Sequence, residues 1–319
     1  MPNNEDTFLA LDIGGTNVKS GLIGRGGEII TFESFPTSEG GGVETLIALI
    51  VRKLTELWNG AGKGRKPKAL AIGAPGWIRR REGVVVMAPN LAGWKDLPIT
   101  RIMSEALDIP ALLENDANLY ALGEWLQGAG KGCDNQITLT LGTGVGGGLI
   151  LEGRLWEGSF TSAAEVGHIP LGNVDRICGC GRKGCLESVA SASGMAALAR
   201  EWIAEGRGTL YGGDPKDLDT LAMLDLAGRG DPMSLAVFRQ AGEAIGYMLA
   251  GVFNLLSLEA AVIGGGGSGA FDYMAPGILD ILSRHIVTAS MNQIRVVKGA
   301  LEDKAPIIGA AALLTSEGF

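Results

Sequence analysis

The stretch FLALDIGGT, residues 8–16, decides the fold. The short apolar run 8–13 leads into the paired glycines Gly14 and Gly15, a pattern typical of a strand that enters a tight turn. Residues 18–23 and 28–32 predict two further strands, which the glycine-rich turn 24–27 joins as a hairpin. The chain therefore begins with strands in succession, and not with a strand that enters a helix.

Working outward, the sequence predicts alternating helices and strands. These are helix 43–58, strand 69–73, helix 99–107, strand 111–113 and helix 117–126. The order then begins again, with strand 137–141, a glycine turn and strand 147–151. The two halves start alike, with LDIG at 11–14 and LGTG at 141–144. Two such halves facing each other would place two glycine turns opposite one another across a cleft, where α/β sheets tend to bind ligands.

The rest of the second half predicts helices, two strands and a final helix. The helices are 194–206, 220–227 and 232–258, the strands are 260–263 and 294–297, and the last helix is 305–314. We therefore expect an N-terminal α/β lobe over residues 1–117 and a C-terminal α/β lobe over 118–302. Whether the segment 303–319 joins the first lobe is left open by the sequence.

Composition and charge exclude several classes of protein. The chain has 319 residues, is 46% apolar and carries a formal net charge of -8, which argues against a general nucleic-acid surface. The longest basic run, Arg79 to Arg81, is expected to be a solvated hairpin turn. No apolar run approaches the ~20 residues that span a bilayer. The polar, acidic N-terminus lacks the regions of a signal peptide, so we expect a cytoplasmic protein with no membrane partner.

A cluster of cysteines predicts a metal site. His168, Cys178, Cys180 and Cys185 supply one imidazole and three thiolates, which is the ligand set of a closed, structural zinc site. Glycines at 179, 181 and 184 would allow the sharp turns that such close ligands require. In a reducing compartment a metal explains this cluster better than disulfides do. The alternative is a set of packed small residues with an unrelated histidine.

Two glycine turns predict phosphate binding. Backbone amides freed by glycine can point at phosphate oxygens, and Asp12 can hold a magnesium ion or its waters. The first turn has neither the Gly-Lys-Ser/Thr ending of a Walker motif nor the helix of a dinucleotide fingerprint. The second turn, residues 142–148, has five glycines in seven residues, which suggests a backbone that approaches a ligand closely. The alternative for each turn is a plain hairpin.

Taken together, these motifs resemble the ROK sugar kinases, and most closely the bacterial glucokinase-like members of that family. The resemblance covers almost the whole chain. DIGGT at 12–16 and GTGVG at 142–146 are similar to the two phosphate motifs, and the glycines 264–267 to the adenosine motif. The segment 165–187, EVGH with CGCG and GCLE, is similar to the family signature and its zinc site. The implied fold is the actin-like (RNase H-like) ATPase fold, with two α/β lobes around a cleft and a small zinc segment.

The resemblance also implies site residues. Asp116 is implied as the catalytic base, although a helix N-cap is an alternative role for it. Sugar binding is implied for Gly76, Asn90, Asn115, Asp116, Glu165, His168 and Glu187. Nucleotide and magnesium binding is implied for Asp12, Gly14, Gly15, Thr16, Gly142, Thr143, Gly144, Gly265 and Gly266. The chain departs from many relatives at Gly267, where they carry a larger apolar residue.

The implied function is ATP-dependent phosphorylation of a hexose, with glucose converted to glucose 6-phosphate in glycolysis. The alternatives are a kinase for N-acetylmannosamine or N-acetylglucosamine, and a non-catalytic, sugar-responsive regulator of the same family. Repressors of the family carry an N-terminal helix-turn-helix, and the first phosphate motif at Asp12 leaves no room for one. ATP, Mg²⁺ and a structural Zn²⁺ are the expected cofactors. Relatives are often dimers or tetramers, so a homo-oligomer is expected.

Overall fold

A computed structural model of the chain describes residues 6–62, 65–172, 174–287 and 291–319. The first five residues of the polar N-terminus, and residues 63–64 of the loop between the first helix and the next strand, lie outside this range. The chain divides into two units. The first comprises Met1–Gly132, Leu155–Ala163 and Asp303–Phe319, and the second comprises Cys133–Arg154 and Ala164–Glu302.

The strands of both units have two to eight residues, and the central ones are the most buried. In chain order they are β1 (Thr7–Ile13), β2 (Asn17–Gly24), β3 (Ile29–Pro36), β4 (Leu70–Ala74), β5 (Trp77–Arg79), β6 (Val84–Met87), β7 (Lys95–Leu97), β8 (Ala111–Asn115), β9 (Gln136–Leu141), β10 (Val145–Leu151), β11 (Arg154–Leu155), β12 (Ala260–Gly264) and β13 (Arg295–Lys298).

The helices connect and cover the strands. They are α1 (Val43–Gly60), α2 (Ile99–Leu107), α3 (Asp116–Leu126), α4 (Glu187–Ala190), α5 (Ala192–Ala204), α6 (Thr220–Gly228), α7 (Pro232–Leu256), α8 (Phe271–His285) and α9 (Ala305–Ser316).

The first unit is built on a five-stranded sheet with the order β3-β2-β1-β4-β8. The first three strands are antiparallel, and β4 and β8 then continue parallel to β1. Helix α1 turns Leu46, Ile50 and Leu54 inward, since residues three or four apart lie on one helix face. Parallel strands end at one edge of the sheet, so the segments that follow β1, β4 and β8 emerge together there.

The second unit repeats this order in its own sheet, β11-β10-β9-β12-β13. Strand β9 pairs antiparallel with β10 and parallel with β12, which in turn pairs parallel with β13. The repeat predicted from the two glycine turns is thus confirmed in the topology. Helices α7 and α8 pack on each other at glycines of α7, where a Cβ on Gly242 would lie 2.2 Å from the Met274 carbonyl oxygen.

Several features differ from the sequence prediction. The expected boundary after residue 117 would cut α3, whereas the first unit keeps that helix whole and continues to Gly132. The small sheet β5-β6-β7 was not predicted, because its strands have only three or four residues each. Helix α8 was not predicted either. Pro276 lies inside α8, and a proline removes one backbone hydrogen bond and usually signals a helix end.

Among the residues that the structure describes, no helix combines the length and the apolar character that crossing a membrane requires.

Candidate active site

In the first unit, Asp12 lies near the end of β1 and Asp116 opens α3 directly after β8. The register of the parallel strands sets Asp12 beside Gly73 of β4, and Gly73 beside Glu114 of β8. Gly73 leaves room for the aspartate, because a Cβ at that position would lie 3.2 Å from Asp12 Oδ1. The sheet therefore brings the two predicted carboxylates to one edge, as their places in the sequence suggest.

The electrostatics of Asp12 follow from its burial. It is 6% exposed, and desolvation raises its pKa to about 7. Lys19, whose Nζ lies 3.6 Å from Asp12 Oδ2, opposes this rise, while the charge of Asp116 adds to it. The pKa of Lys19 is raised in turn, since its burial is outweighed by Asp12 and by Asp303 at 2.8 Å.

Lys19 was missed by the sequence analysis. The signal that could have found it is the hairpin itself, because an antiparallel register of β1 and β2 pairs Asp12 directly with Lys19. A cation is thus placed beside the proposed magnesium ligand by strand pairing alone.

The first glycine turn is tightly defined. Gly14 donates its backbone N–H to the Asn17 carbonyl oxygen at 2.9 Å and accepts a hydrogen bond from the Thr37 hydroxyl at 2.7 Å. A Cβ on Gly15 would lie 2.9 Å from the Cβ of Asn90. The turn therefore abuts Asn90, a predicted sugar ligand, and Gly15 has to lack a side chain for that approach. Thr16 is exposed at the tip.

The turns after β4 and β8 carry the other predicted residues of this unit. Gly76 has a φ of 84°, a left-handed conformation that favours glycine. Asn115 is the N-cap of α3, since its side-chain oxygen accepts the Ala117 N–H at 2.9 Å. Asp116 Oδ1 accepts from the same N–H at 2.9 Å. The capping position that was an alternative role for Asp116 is thus occupied by Asn115.

The second unit brings the other glycine motifs together. The turn after β9 is closed by a hydrogen bond from the Gly142 N–H to the Gly144 carbonyl oxygen at 2.9 Å, and the Ser193 hydroxyl donates to the Thr143 carbonyl oxygen. Gly265, with a φ of 76°, lies against the end of β9, where a Cβ would be 2.5 Å from the Leu141 carbonyl oxygen. Gly266 beside it faces open space.

The cysteine cluster lies in the same unit and fits a zinc ion. The ligand atoms of His168, Cys178, Cys180 and Cys185 all lie within 4.8 Å of one another. The sulfurs of Cys180 and Cys185 are 3.7 Å apart, and the Cys178 sulfur is 3.9 Å from His168 Nδ1. A tetrahedral site with zinc–sulfur bonds of about 2.3 Å spaces its ligands by about 3.8 Å. Left-handed φ values at Gly181 and Gly184 form the turns, whereas Gly179 needs no such conformation.

Glu187 links this cluster to the second glycine turn. Its Oε2 accepts the Val145 N–H at 3.0 Å, and its Oε1 lies 3.2 Å from the Cys178 sulfur. Glu165 is exposed at the start of the short turn that carries His168, and its carbonyl oxygen accepts the His168 N–H at 3.1 Å. His168 turns Nδ1 to the cysteines, so its other ring nitrogen points elsewhere.

Known proteins of one family are similar to this chain over nearly its full length. A sequence profile described as the ROK family matches residues 8–317. A glucokinase of Thermotoga maritima is 32% identical over 310 residues, which cover 96% of each chain. The crystal structure of a ROK family glucokinase from Streptomyces griseus in complex with glucose and AMPPNP superposes with a TM-score of 0.79, at 30% identity, covering 96% of this chain and 98% of that one.

An N-acetylmannosamine kinase of Escherichia fergusonii is also similar. It is 30% identical over 269 residues, which cover 84% of this chain and 86% of that protein. Sugars with and without an N-acetyl group are therefore represented among the similar proteins.

Proposed function

Because this chain belongs to the ROK family, we propose that it is an ATP:hexose phosphotransferase that converts glucose to glucose 6-phosphate. Its fold is the actin-like ATPase fold of ROK kinases, which the repeated sheet order reflects. The observation that carries the proposal is the pair Asp12 and Asp116 at one sheet edge, in a chain similar to glucokinases over nearly its full length.

In this proposal Asp116 is the general base. A sugar hydroxyl is a poor nucleophile while it is protonated, and a positioned carboxylate that accepts its proton contributes typically ~10²–10⁴ in rate. The Ala117 N–H holds one oxygen of Asp116 and thereby fixes the direction of the carboxylate. The proton leaves the hydroxyl for Asp116 as the sugar oxygen attacks the γ-phosphorus of ATP. The bond between the γ-phosphorus and the oxygen that bridges it to the β-phosphate breaks, and ADP leaves with that oxygen.

The remaining residues bind and orient the two substrates. Asp12 and the backbone of Gly14, Gly15 and Thr16 would hold magnesium and phosphate oxygens, and Gly142, Thr143 and Gly144 would offer further backbone N–H groups. Magnesium, when bound with ATP, neutralises charge on the phosphoryl oxygens. Gly265 and Gly266 would border the adenosine. We expect most of the catalysis to come from such positioning and charge stabilisation.

The sugar would be bound by polar groups at its other hydroxyls. We propose for this role Asn90 and Asn115 in the first unit, with Gly76 as a lining residue there, and Glu165, His168 and Glu187 in the second unit. A site of this kind rejects analogues that leave its buried polar groups unpaired. Zinc at the cysteine cluster would shape this segment and leave the chemistry to Asp116, because four protein ligands occupy every position of a tetrahedral ion.

Steady-state kinetics with a panel of sugars tests the proposal. Wild-type protein with Mg²⁺–ATP is expected to show its highest kcat/KM for glucose, above mannose, N-acetylglucosamine and N-acetylmannosamine. A preference for an N-acetylhexosamine would favour the second candidate, which the similarity to N-acetylmannosamine kinase supports. No turnover with any of these sugars would contradict the kinase proposal and favour the non-catalytic regulator.

The role of Asp116 is tested by Asp116→Asn. We expect kcat to fall by at least ~10²-fold while glucose binding, measured by calorimetry, changes little. Asp108→Asn is the matched control, since Asp108 is an exposed aspartate of the same unit, paired with Lys66 on the surface. Near-normal turnover in Asp116→Asn would refute the assignment.

We propose a cytoplasmic location, because the protein would use ATP, and we propose that the protein is a homo-oligomer. Light scattering coupled to size exclusion tests the oligomer, and a monomer at micromolar concentration would contradict it.

A further inference from the structure

Arg80 has surroundings that a solvated hairpin turn would not provide. The run Arg79 to Arg81 does lie at the turn between the antiparallel strands β5 and β6, as the sequence predicts. The Arg80 side chain, however, is only 15% exposed and points into the first unit. The expectation of a solvated turn is therefore wrong for this residue, because three carboxylates surround its guanidinium.

These carboxylates come from three separate segments of the chain. Arg80 Nε donates to Glu114 Oε2 at 2.7 Å. Nη1 lies 3.2 Å from Glu157 Oε1, in the segment Leu155–Ala163 that rejoins the first unit, and Nη2 donates to Glu317 Oε1 at 2.6 Å near the C-terminus. The two latter carboxylates are 24% and 42% exposed, whereas Glu114 is 2% exposed. The contact with Glu114 is thus the one that burial makes most consequential.

Glu114 connects Arg80 to the start of α3. Its second oxygen, Oε1, accepts the Asn115 backbone N–H at 2.9 Å and the Asn118 side-chain amide at 2.9 Å. One carboxylate therefore holds the residue before Asp116 and a residue half a turn after it. Burial raises the pKa of Glu114, which Arg80, Asn118 and the Asn115 N–H oppose. Without Arg80, a buried carboxylate would have to protonate, move or draw in water.

We propose that Arg80 is a positioning residue for the phosphoryl transfer: through Glu114 it fixes the turn from which Asp116 reaches the sugar hydroxyl. The effect of Arg80 on catalysis rests on the proposed function. The linkage from Arg80 through Glu114 to the start of α3 rests on the geometry of the first unit alone. A displacement of a catalytic group by about 1 Å can cost ~10²-fold in rate.

Arg80→Met, with Arg81→Met as the matched control, tests the inference. Arg81 is the exposed neighbour in the same turn. We expect Arg80→Met to lower kcat by about 10- to 100-fold, with KM for ATP within about twofold of wild type, because the nucleotide turns are untouched. Arg81→Met should match wild type. A kcat of Arg80→Met within twofold of wild type, or an equal loss in Arg81→Met, overturns the proposal.

A second variant tests whether Arg80 acts on the start of α3 through Glu114 or only stabilises the fold. Adding Glu114→Gln to Arg80→Met removes the unpaired buried charge and keeps an oxygen that accepts the Asn115 N–H. The double variant is expected to recover at least threefold in kcat over Arg80→Met. No recovery would show that Arg80 acts through Glu157, Glu317 or overall stability, and would overturn the proposed route. Arg80→Lys, which keeps the charge but loses the three-way contact of the guanidinium, serves if Arg80→Met does not fold. Its kcat should lie at least threefold below that of wild type, and a kcat equal to that of wild type would overturn the proposal.

Amide hydrogen exchange gives a readout that requires no turnover. Peptides covering residues 112–120 should exchange at least threefold faster in Arg80→Met, while peptides from α1 should be unchanged. If wild-type protein phosphorylates no sugar but the exchange differs as expected, the proposed function fails and the Arg80–Glu114 linkage stands. If wild-type protein is active and residues 112–120 exchange equally in both proteins, the linkage is refuted and the function stands.

Discussion

Asp12 and Asp116 lie at one sheet edge, but the two aspartates have different neighbours. Asp12 is buried beside Lys19, and its pKa of about 7 makes it sensitive to the charge of anything that binds next to it. Asp116 stands at the N-terminal end of α3, where helix N–H groups stabilise a carboxylate. A cation such as magnesium would favour the ionised form of Asp12, whereas one oxygen of Asp116 is held by the Ala117 N–H.

The raised pKa of Asp12 predicts how stability depends on pH. Between its ordinary value of 3.8 and about 7 the folded protein binds more protons at this site than the unfolded chain does, so the site makes the protein less stable as pH rises through that window. Asp12→Asn removes this effect. The variant should therefore gain stability over wild type at pH 8 and lose that advantage at about pH 4.

The gain in the free energy of unfolding has an upper limit of roughly 4 kcal/mol, which corresponds to a shift of about three pKa units. The gain is smaller than this limit because Lys19 loses its ion-pair partner in the variant. Calorimetric Tm values of both proteins at pH 5 and pH 8, without added magnesium, check the prediction. A Tm difference that is independent of pH, or larger at pH 5, would contradict it.

For single residues, the sequence predicted which residues belong to the candidate site, but not all of their contacts. Asp12 and the glycine turn could be found because they follow an apolar strand directly. Arg80 could not be placed correctly, because its partners Glu157 and Glu317 are distant in sequence and meet it only through the fold. Nothing in a short basic run distinguishes one buried arginine from two exposed neighbours.

Among the elements, the loop after β12 carries two adjacent glycines, of which one has no space for a side chain and the other has open space around it. A Cβ on Gly265 would meet backbone atoms of Leu141 at 2.5 to 3.0 Å, in a left-handed conformation, whereas a Cβ on Gly266 would meet nothing within 4 Å. Gly267, the departure from relatives, is also close to Leu141, at 2.9 Å from its Cβ. The loop is therefore fitted to the end of β9 through two of its glycines.

Gly265→Ala is expected to lower stability by about 1–3 kcal/mol and to raise KM for ATP, because the loop must move away from Leu141. Gly266→Ala, the matched control, should change stability by less than about 0.5 kcal/mol. Urea unfolding of both variants and ATP kinetics of Gly265→Ala check this prediction. Equal losses of stability in the two variants would show that the contact with Leu141 is not what constrains the loop.

The cysteine cluster can also be tested by one variant and a matched control. Purified protein should contain about one zinc per chain, because the donor set and its spacing fit a tetrahedral ion. Cys185→Ser should lose most of this metal and lower the Tm, since binding energy at a structural site contributes to folding. Cys133→Ser is the control, because Cys133 is a buried cysteine outside the cluster. Zinc content that is unchanged in Cys185→Ser would contradict the site.

The elements themselves were largely predictable. Helices α1, α2 and α7 and the strands β1, β2 and β9 follow from apolar periodicity, and the structure places them within two residues of the prediction. The exceptions have physical causes. Strand β3 extends to Pro36 through polar residues because β2 pairs along its whole length, and α8 forms despite Pro276 because α7 covers its apolar face. Tertiary contacts decided both cases.

For the molecule as a whole, the chain ends within the unit in which it begins. Helix α9 packs on α3 and on the first sheet, so the first unit is assembled from segments about 180 residues apart in sequence. The two helices approach closely through a glycine on each. A Cβ on Gly309 would lie 1.9 Å from the Leu119 carbonyl oxygen, and a Cβ on Gly123 2.0 Å from that of Ala305. The sequence left this connection open, since helix periodicity shows an apolar face but not its partner.

This packing predicts that single methyl groups at the α3–α9 contact destabilise the first unit. Gly309→Ala should lower the free energy of unfolding by about 1–3 kcal/mol, because a clash with a backbone carbonyl outweighs the gain of up to about 1 kcal/mol in helix propensity. Gly123→Ala should cost a similar amount. The double variant should cost less than the sum of the two, since either methyl group already separates the helices.

Gly60→Ala, at the end of α1 with nothing within 4 Å of the added Cβ, is the control and should be neutral or stabilising. Urea unfolding of the four variants gives the comparison. Because Asp116 opens α3, the two destabilised single variants should also lose kcat at temperatures where they remain folded, whereas Gly60→Ala should not. Additive costs in the double variant, or unchanged stability in Gly309→Ala, would show that the end of the chain is not held at α3 by this contact.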